Sequence, residues 1–119
     1  MEKKILIVDD DPINLKLFKI IAEKNNINYD YAIDGLAARD LIKKNEYDLI
    51  LLDIALPGLN GFEIMNFIKT LEKKPKIIAV TAHTMDGDEE KILKAGADEY
   101  MSKPINVQIL VDKINKYLK

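Results

Sequence analysis

Three aspartates stand directly after two strand-like apolar runs, and their carboxylates could hold a metal ion. Asp9 and Asp10 follow residues 5–8, and Asp53 follows residues 49–52. Ligands of open α/β sheets bind beyond the carboxyl ends of the strands, so these acids are expected to meet at one edge. Neighbouring carboxylates repel one another unless a cation lies between them. All-oxygen ligation suits a hard ion, and we therefore predict a Mg²⁺ site built around Asp53.

The same acids also have a structural interpretation, because aspartate commonly caps helices and ends strands. This interpretation fits Asp11 best, since Pro12 follows it and proline is favoured in the first turn of a helix. We therefore interpret Asp11 as a helix cap. For the metal site, Asp10 and Asp53 are predicted to be direct ligands, and Asp9 is predicted to act through a water molecule.

A hydroxyl and an ammonium group follow two further strand-like segments. Thr81 ends the apolar run at residues 77–80, and Lys103 comes soon after a short strand near Tyr100. Beside carboxylates, these groups suit phosphoryl transfer onto a carboxylate, which then becomes an aspartyl phosphate. The transferred group spreads negative charge over three oxygens, and a metal ion and a lysine can neutralise that charge.

The elements that must position these residues alternate between strands and helices. Continuous apolar runs at residues 5–8, 49–52 and 77–80 are typical of strands covered on both faces, and residues 27–31 alternate as in a half-exposed strand. The predicted helices lie at residues 12–24, from Gly35 onward, after Gly61 through Leu71, at 86–95 and after Asn106. The pattern predicts an α/β fold, a flavodoxin-like (βα)5 doubly wound parallel sheet with strand order 2-1-3-4-5.

The composition is that of one soluble globular domain, and it excludes several classes of function. The chain has 119 residues, of which 48% are hydrophobic and 32% are charged. A net charge of -2 and a single arginine, Arg39, argue against binding to nucleic acid. The absence of cysteine excludes disulfides and thiolate chemistry. Because the first apolar run is too short for a signal peptide or a membrane span, we expect a cytoplasmic protein without a membrane partner.

Five motifs of the sequence match a known family in the order in which the family has them. They are ILIVDDD at residues 5–11, LLDIALPGLNG at 51–61, VTA at 80–82, AGADEY at 95–100 and SKP at 102–104. Through these motifs the sequence resembles, over its whole length, the receiver domain of two-component response regulators. The resemblance implies one receiver domain at residues 1–119. We expect a stand-alone protein of the chemotaxis, cell-cycle or phosphorelay type, and the alternative is a receiver excised from a longer protein such as a hybrid kinase.

The resemblance also implies a set of site residues and a phosphoryl donor. Asp53 would accept a phosphoryl group from a histidine of a partner kinase or histidine phosphotransfer protein. Asp9, Asp10, Asp53 and the backbone carbonyl of Ala55 would organise Mg²⁺, and Lys103 would pair with the phosphoryl group. Such a protein is not an enzyme that acts on other molecules, because it catalyses only its own phosphorylation and dephosphorylation.

A conformational switch is implied by the same resemblance. Thr81 would move to hydrogen-bond the phosphoryl group, and Tyr100 would turn inward behind it. The face made by the fourth helix, fifth strand and fifth helix would change and bind a downstream protein target, with the protein as a monomer or a phosphorylation-dependent dimer. A tyrosine half-buried on a short edge strand is an equally ordinary interpretation of Tyr100. The Lys103–Pro104 peptide bond is expected to be cis, as is typical of the family.

The single histidine, His83, and Ala55 each lie two residues beyond a predicted site residue. A solvated loop residue is one interpretation of His83. In the family, however, these two positions lie over the phosphoryl group and tune its attack by water. Because Ala55 has no polar side-chain atom to orient a water molecule, we expect slow dephosphorylation.

Three other classes of protein fit the sequence less well. A haloacid-dehalogenase-like phosphatase also uses an aspartate nucleophile with Mg²⁺, but it needs a second aspartate where this chain has Ala55. A flavodoxin needs a phosphate-binding loop after the first strand, where three successive acids of this chain would repel phosphate. A degenerate receiver that acts as a constitutive binding module would not need the intact acids, threonine and lysine.

Overall fold

The computed structural model of the chain describes residues 3–56, 59–82 and 88–118. Strands and helices alternate in the order β1 (Lys4–Val8), α1 (Pro12–Lys24), β2 (Asn28–Ala32), α2 (Gly35–Lys44), β3 (Leu49–Asp53), α3 (Gly61–Ile68), β4 (Lys76–Thr81), α4 (Asp88–Ala95), β5 (Glu99–Ser102) and α5 (Val107–Leu118). Within these described residues, no helix combines the length and the apolar character that crossing a membrane requires.

The five strands form one parallel sheet in the order β2-β1-β3-β4-β5. This order confirms the predicted flavodoxin-like fold. In the register of the sheet, Val8 pairs with Leu52 and Asp53 pairs with Val80. The strands β1, β3 and β4 therefore end at the same edge, and that edge is where Asp9 and Asp53 lie.

Helices cover both faces of the sheet, which explains the continuous apolar runs of the central strands. In β1, Leu6 and Val8 belong to one apolar layer, whereas Ile5 and Ile7 belong to the layer on the opposite face. The first layer includes buried residues of α2, α3 and α4, and the second includes buried residues of α1 and α5. All four side chains are at most 1% exposed. Burying one such side chain contributes about 1.5–3 kcal/mol, so the strands are held in place from both sides.

The first two helices begin at capping aspartates, of which the sequence predicts Asp11. The Oδ1 atom of Asp11 accepts a hydrogen bond from the amide of Ile13 at 2.9 Å, and Pro12 is the first residue of α1. This contact confirms the interpretation of Asp11 as a cap. In the same way, Oδ1 of Asp34 accepts from the amide of Ala37 at 2.8 Å at the start of α2.

The helix α3 differs in part from its predicted range, whereas α4 ends where the sequence predicts. The helix α3 ends at Ile68, although its apolar pattern continues to Leu71. The Thr70 hydroxyl donates to the carbonyl three residues earlier at 2.6 Å, and Leu71 then follows in a tighter turn while still packing against the core. The helix α4 ends before Gly96, whose φ of 126° is the left-handed conformation expected there. Residues 86 and 87, where α4 is predicted to begin, lie outside the described residues.

An ionised glutamate joins β5 to α5. The two carboxylate oxygens of Glu99 lie 2.6 Å from Nζ of Lys113 and 3.3 Å from Nζ of Lys116. Burial by itself would raise the pKa of Glu99, but hydrogen bonds from Lys113, Tyr117 and Lys116 lower it to about 2. Because the side chains of Lys113 and Glu99 are only 26% and 19% exposed, solvent screens this pair less than it screens a surface ion pair.

Replacing Glu99 with glutamine should lower stability in a pH-dependent way. The Glu99 pKa is about 2 in the folded protein and 4.5 when unperturbed, so the charge stabilises the fold above about pH 4.5 and ceases to do so as the pH falls toward 2. We expect Glu99→Gln to reduce the free energy of unfolding at neutral pH by about 1–2 kcal/mol, after allowance for solvent screening. Urea unfolding over a pH series would measure the difference from wild type, which should shrink below about pH 4.5.

The matched control for this experiment is Glu90→Gln on the surface of α4. Glu90 pairs with Lys94 at 2.9 Å, but its side chain is 70% exposed. Such a pair contributes less than about 1 kcal/mol, so this variant should resemble the wild type. A difference between Glu99→Gln and the wild type that stays constant through the acid range would contradict the prediction.

Candidate functional site

Asp53 and Lys103 form an ion pair at the carboxyl edge of the sheet. Asp53 is the last residue of β3 and is 4% exposed, and Lys103 follows β5 directly. Nζ of Lys103 lies 3.2 Å from Oδ2 of Asp53. The Lys103 amide donates to the carbonyl of Thr81 at 2.8 Å, which ties the end of β5 to the end of β4. The Lys103–Pro104 peptide bond is cis, as the sequence predicts.

The predicted acidic cluster is present in the structure. Carboxylate oxygens of Asp9, Asp10 and Asp53 all lie within 4.8 Å of one another. Asp9 is fully buried and Asp10 is exposed, so the cluster extends from the interior to the surface. One ammonium serves the two buried acids, because Nζ of Lys103 also lies 3.4 Å from Oδ2 of Asp9.

The two oxygens of the Asp9 carboxylate differ in their surroundings. Oδ1 accepts a hydrogen bond from the Asp11 amide at 2.9 Å. Oδ2 is buried and accepts no hydrogen bond from any of the described residues, although the ammonium of Lys103 lies nearby. Leaving a buried acceptor without a donor is unfavourable, and a hard cation would satisfy it. The donor set of this cluster, three carboxylates, therefore fits Mg²⁺.

The pKa values of two site residues follow from this arrangement. Burial raises the pKa of Asp9, and the nearby charge of Asp53 raises it further, against the lowering effects of the Asp11 amide and Lys103. Burial would lower the pKa of Lys103, but the carboxylates of Asp53 and Asp9 outweigh it and raise that pKa above its ordinary value. Lys103 is therefore charged at neutral pH and supplies the positive charge between the two buried acids.

A backbone amide orients the Asp53 carboxylate. The amide of Ala55 donates to Oδ1 of Asp53 at 3.0 Å, so Oδ1 contacts the main chain while Oδ2 faces Lys103. This amide belongs to the loop between β3 and α3, and the loop is closed by a hydrogen bond from the Gly61 amide to the Ile54 carbonyl at 3.0 Å. The position of the Ala55 backbone beside Asp53 is compatible with the predicted use of its carbonyl, which stays a prediction.

Thr81 and Tyr100 lie on the two strands next to the ion pair. Thr81 is the half-buried last residue of β4. Tyr100 is half-buried on β5, and its hydroxyl donates to Oε2 of Glu89 on α4 at 3.0 Å. This hydrogen bond raises the pKa of Tyr100. The Tyr100 hydroxyl is thus attached to helix α4 in this structure.

Sequence reasoning identified most of the side chains of the site but missed three contacts. The structure brings Asp9, Asp10, Asp53 and Lys103 together and places Thr81 on the adjacent strand end. His83 lies outside the described residues. The missed contacts are the amide of Asp11 on Asp9, the amide of Ala55 on Asp53, and Glu89 on Tyr100. Two of them use backbone N–H donors that every residue type except proline possesses, so no residue type indicates them.

Comparison with known proteins points to one family. Residues 5–115 match the family model of the response regulator receiver domain. The chain is 41% identical to the polar-differentiation response regulator DivK of Brucella ovis, over 99% of this chain and 98% of that protein.

Two solved structures carry further information about the site. The receiver domain of a sensor histidine kinase from Pseudomonas aeruginosa, with a magnesium ion coordinated in its active site cleft, is 29% identical, with a TM-score of 0.89 and coverage of 99% of this chain and 98% of that one. A chain of the Saccharomyces cerevisiae complex between the histidine phosphotransfer protein Ypd1 and the receiver domain of its downstream response regulator Ssk1 is 30% identical, with a TM-score of 0.88 and coverage of 98% and 89%.

Replacing Lys103 with methionine should destabilise the protein in a way that Mg²⁺ reverses. The variant leaves Asp9 and Asp53 buried without their ammonium, and breaking a buried ion pair costs about 3–5 kcal/mol. Mg²⁺ binding adds stability to the folded protein by mass action. Because the ion does not compete with an ammonium in Lys103→Met, we expect Mg²⁺ to stabilise this variant more than the wild type. Thermal unfolding with Mg²⁺ and with a chelator would measure both effects.

Lys94→Met is the control for the loss of a lysine. Lys94 is 76% exposed and pairs only with Glu90 among the described contacts, far along the chain from the acidic cluster. This variant should show the stability and the Mg²⁺ response of the wild type. An equal gain from Mg²⁺ in Lys103→Met and in the wild type would contradict the prediction.

Proposed function

The chain belongs to the family of response regulator receiver domains, and we propose that Asp53 is the residue that accepts the phosphoryl group. The observation that supports this assignment is the contact of the two Asp53 oxygens with the Ala55 amide and with Lys103. The carboxylate is oriented on one side and faces a cation on the other. Asp9 pairs with the same lysine but is fully buried, whereas Asp53 is 4% exposed.

In the proposed reaction, one oxygen of Asp53 forms a bond to phosphorus while the bond between phosphorus and the donor histidine nitrogen breaks. The electron pair of the broken bond leaves with the imidazole. The ammonium of Lys103 pairs with a phosphoryl oxygen, since it already lies 3.2 Å from the acceptor carboxylate. The hydroxyl of Thr81, at the end of the adjacent strand, donates to another phosphoryl oxygen.

Mg²⁺ is the proposed cofactor, held by Asp9, Asp10, Asp53 and the backbone carbonyl of Ala55. When bound, the ion neutralises the negative charge that accumulates as the carboxylates and the phosphoryl oxygens come together. The protein's own contribution is to hold these acids in one cluster and to leave a buried oxygen of Asp9 without a hydrogen-bond donor among the described residues.

We propose that phosphorylation changes the α4–β5–α5 face through Thr81 and Tyr100. Thr81 moves toward the phosphoryl group, and Tyr100 leaves Glu89 and turns inward. Neighbouring residues of β5 differ in how firmly they are held, because Glu99 contacts two lysines of α5 whereas Tyr100 makes one exposed hydrogen bond to α4. The α4 side of the face is therefore the side that can rearrange, and a downstream protein target would bind there.

The proposed phosphoryl donor is a histidine kinase or a histidine phosphotransfer protein, docked on an apolar surface beside the site. Ile13 and Ile20 of α1 are 79% and 41% exposed and lie seven residues apart, which places them on the same side of the helix. Val107, the first residue of α5, is 46% exposed. Ile13 comes four residues after Asp9, and Val107 comes four residues after Lys103. A helical phosphotransfer protein that docks on these residues could therefore bring its histidine to Asp53.

The protein acts on no second substrate and catalyses only its own phosphorylation and dephosphorylation. The proposed location is cytoplasmic, as expected for a response regulator. The phosphatase alternative is not favoured, because position 55 is alanine. A degenerate receiver is not favoured either, because the acids and Lys103 form the complete cluster described above.

Acetyl phosphate should phosphorylate the protein once, at Asp53. With Mg²⁺ present, the intact mass of the wild type should show one phosphoryl adduct, because the small donor needs no docking surface. Neither Asp53→Ala nor the wild type in a chelator should show it. Asp40→Ala, which removes an exposed carboxylate of α2, is the matched control and should still be labelled. Absence of an adduct on the wild type under every condition would contradict the proposed function.

The same measurement with a second donor tests the docking surface. With a phosphorylated histidine phosphotransfer protein as the donor, Ile13→Asp should be labelled more slowly than the wild type, because a charge is placed on the apolar surface. Labelling of Ile13→Asp by acetyl phosphate should be unchanged. Equal rates with the protein donor would exclude Ile13 from the interface.

An asparagine in place of Ala55 should accelerate dephosphorylation. The exposed side chain of Ala55 stands two residues beyond the acceptor and has no polar atom. An amide at this position can orient the attacking water, and we expect the aspartyl phosphate to decay about tenfold faster in Ala55→Asn. The decay of the phosphorylated mass after removal of acetyl phosphate would measure it. Ala55→Val, which adds bulk without a polar atom, is the control, and equal decay of Ala55→Asn and the wild type would refute the idea.

A further inference from the structure

The orientation of the acceptor depends on a loop. The described residues of the loop between Asp53 and α3 are 54–56 and 59–60, and the Ala55 amide of this loop donates to Oδ1 of Asp53 at 3.0 Å. A shift of the loop would move this amide away from the carboxylate. The residues that hold the loop in place therefore bear on the geometry of the acceptor, even where they do not touch it.

On its inner side the loop is held by Gly61. The Gly61 amide donates to the Ile54 carbonyl at 3.0 Å. A Cβ atom at Gly61 would lie only 2.7 Å from Cα of Ile54 and 3.0 Å from the carbonyl oxygen of Asp53. The start of α3 thus rests directly on the backbone of the strand end that carries the acceptor, and only glycine permits this approach.

On its outer side the loop meets the start of α2 at Gly35. A Cβ atom at Gly35 would overlap the carbonyl oxygen of Leu59 and would lie 2.6 Å from its carbonyl carbon and its Cβ. These are backbone atoms and a β-carbon, which cannot turn aside as the end of a flexible side chain can. The approach of α2 to the loop is therefore possible only while position 35 has no side chain.

The helix α2 cannot easily retreat from this contact. Asp34 caps it by accepting from the Ala37 amide at 2.8 Å. Ala38, one turn into the helix, is 0% exposed, and Ile42 further along is 5% exposed. A side chain at position 35 would therefore displace the Leu59 backbone, which is part of the loop, more readily than the packed helix.

We propose that Gly35 is a positioning residue for the phosphoryl-acceptor site. By allowing the start of α2 to abut Leu59, it holds the loop against Gly61 and so keeps the Ala55 amide on the Asp53 carboxylate and the Ala55 backbone beside the acidic cluster. The expected effect of Gly35 on phosphorylation rests on the proposed function of Asp53 as the phosphoryl acceptor. The expected effect of Gly35 on the orientation of the Ala55 amide does not depend on that function.

The variant that tests the proposal is Gly35→Ala in the full chain. We expect its Mg²⁺ dissociation constant, measured by titration of the unphosphorylated protein, to rise about tenfold, as when a supporting contact of a metal site is removed. Labelling by acetyl phosphate at saturating Mg²⁺ should slow by about a hundredfold, because the carboxylate is misplaced. In amide NMR spectra without metal, the Ala55 signal should shift and its hydrogen exchange should accelerate.

A matched control separates positioning from stability. Ile42→Ala lies on the same helix and creates a cavity that costs about 2–5 kcal/mol, but it leaves the contact between Gly35 and Leu59 intact. Below its unfolding temperature this control should keep the Mg²⁺ affinity, the labelling rate and the Ala55 signal of the wild type. If Gly35→Ala, measured while folded, equals Ile42→Ala in these three properties, the proposal is wrong.

Two further measurements cover the cases in which Gly35→Ala does not fold or the wild type takes no phosphoryl group. If Gly35→Ala does not fold, Leu59→Gly loosens the loop from the opposite side without adding an atom, and it should change the Ala55 signal and the Mg²⁺ affinity in the same direction. An unchanged Ala55 signal in Leu59→Gly would overturn the proposal. If the wild type takes no phosphoryl group, the proposed function fails, whereas the Ala55 signal and the Mg²⁺ titration still decide the role of Gly35.

Discussion

Two buried carboxylates that share one ammonium are the constraint on which this structure depends. Asp9 and Asp53 are 0% and 4% exposed, and Nζ of Lys103 lies within 3.4 Å of an oxygen of each. Burying like charges this close is unfavourable unless cations and hydrogen bonds compensate. The compensation here is incomplete, since one Asp9 oxygen has no hydrogen-bond donor among the described residues. A site of this kind gains stability from a further cation, and this is why it suits a metal ion.

The parallel sheet is what makes this cluster possible. Residues from β1, β3 and β5 are far apart in sequence, and only a sheet whose strands all end at one edge brings them together. The apolar layers on both faces hold the strands in fixed register, so the charged groups have little freedom to separate. Main-chain amides from the loops after β1 and β3 each donate one hydrogen bond to a buried acid. The polar site is thus held in place by the apolar layers on the two faces of the sheet.

The edge strand β5 connects this site to the surface. Lys103 follows the strand directly, and the strand itself carries Glu99 and Tyr100 side by side. Glu99 is paired with lysines of α5 and has a strongly lowered pKa, whereas Tyr100 makes a single hydrogen bond to Glu89. The strand β5 is therefore held firmly to α5 and weakly to α4. The difference follows from the number of charged partners and from their burial.

The sequence by itself determined the order of strands and helices, the helix caps and the chemical types present at the site. Short continuous apolar runs are typical of strands buried on both faces of a sheet, and Asp11 and Asp34 cap helices within three residues of their own position. Local patterns misjudged the end of α3 beyond Ile68, where the Thr70 hydroxyl bonds to the preceding turn. Only the tertiary structure decided that Lys103 contacts two acids, that the Ala55 amide orients Asp53, and that Gly35 abuts Leu59. These contacts depend on distances across the fold and on backbone atoms, and backbone atoms are the same in nearly every residue type, so no pattern in the sequence could indicate them.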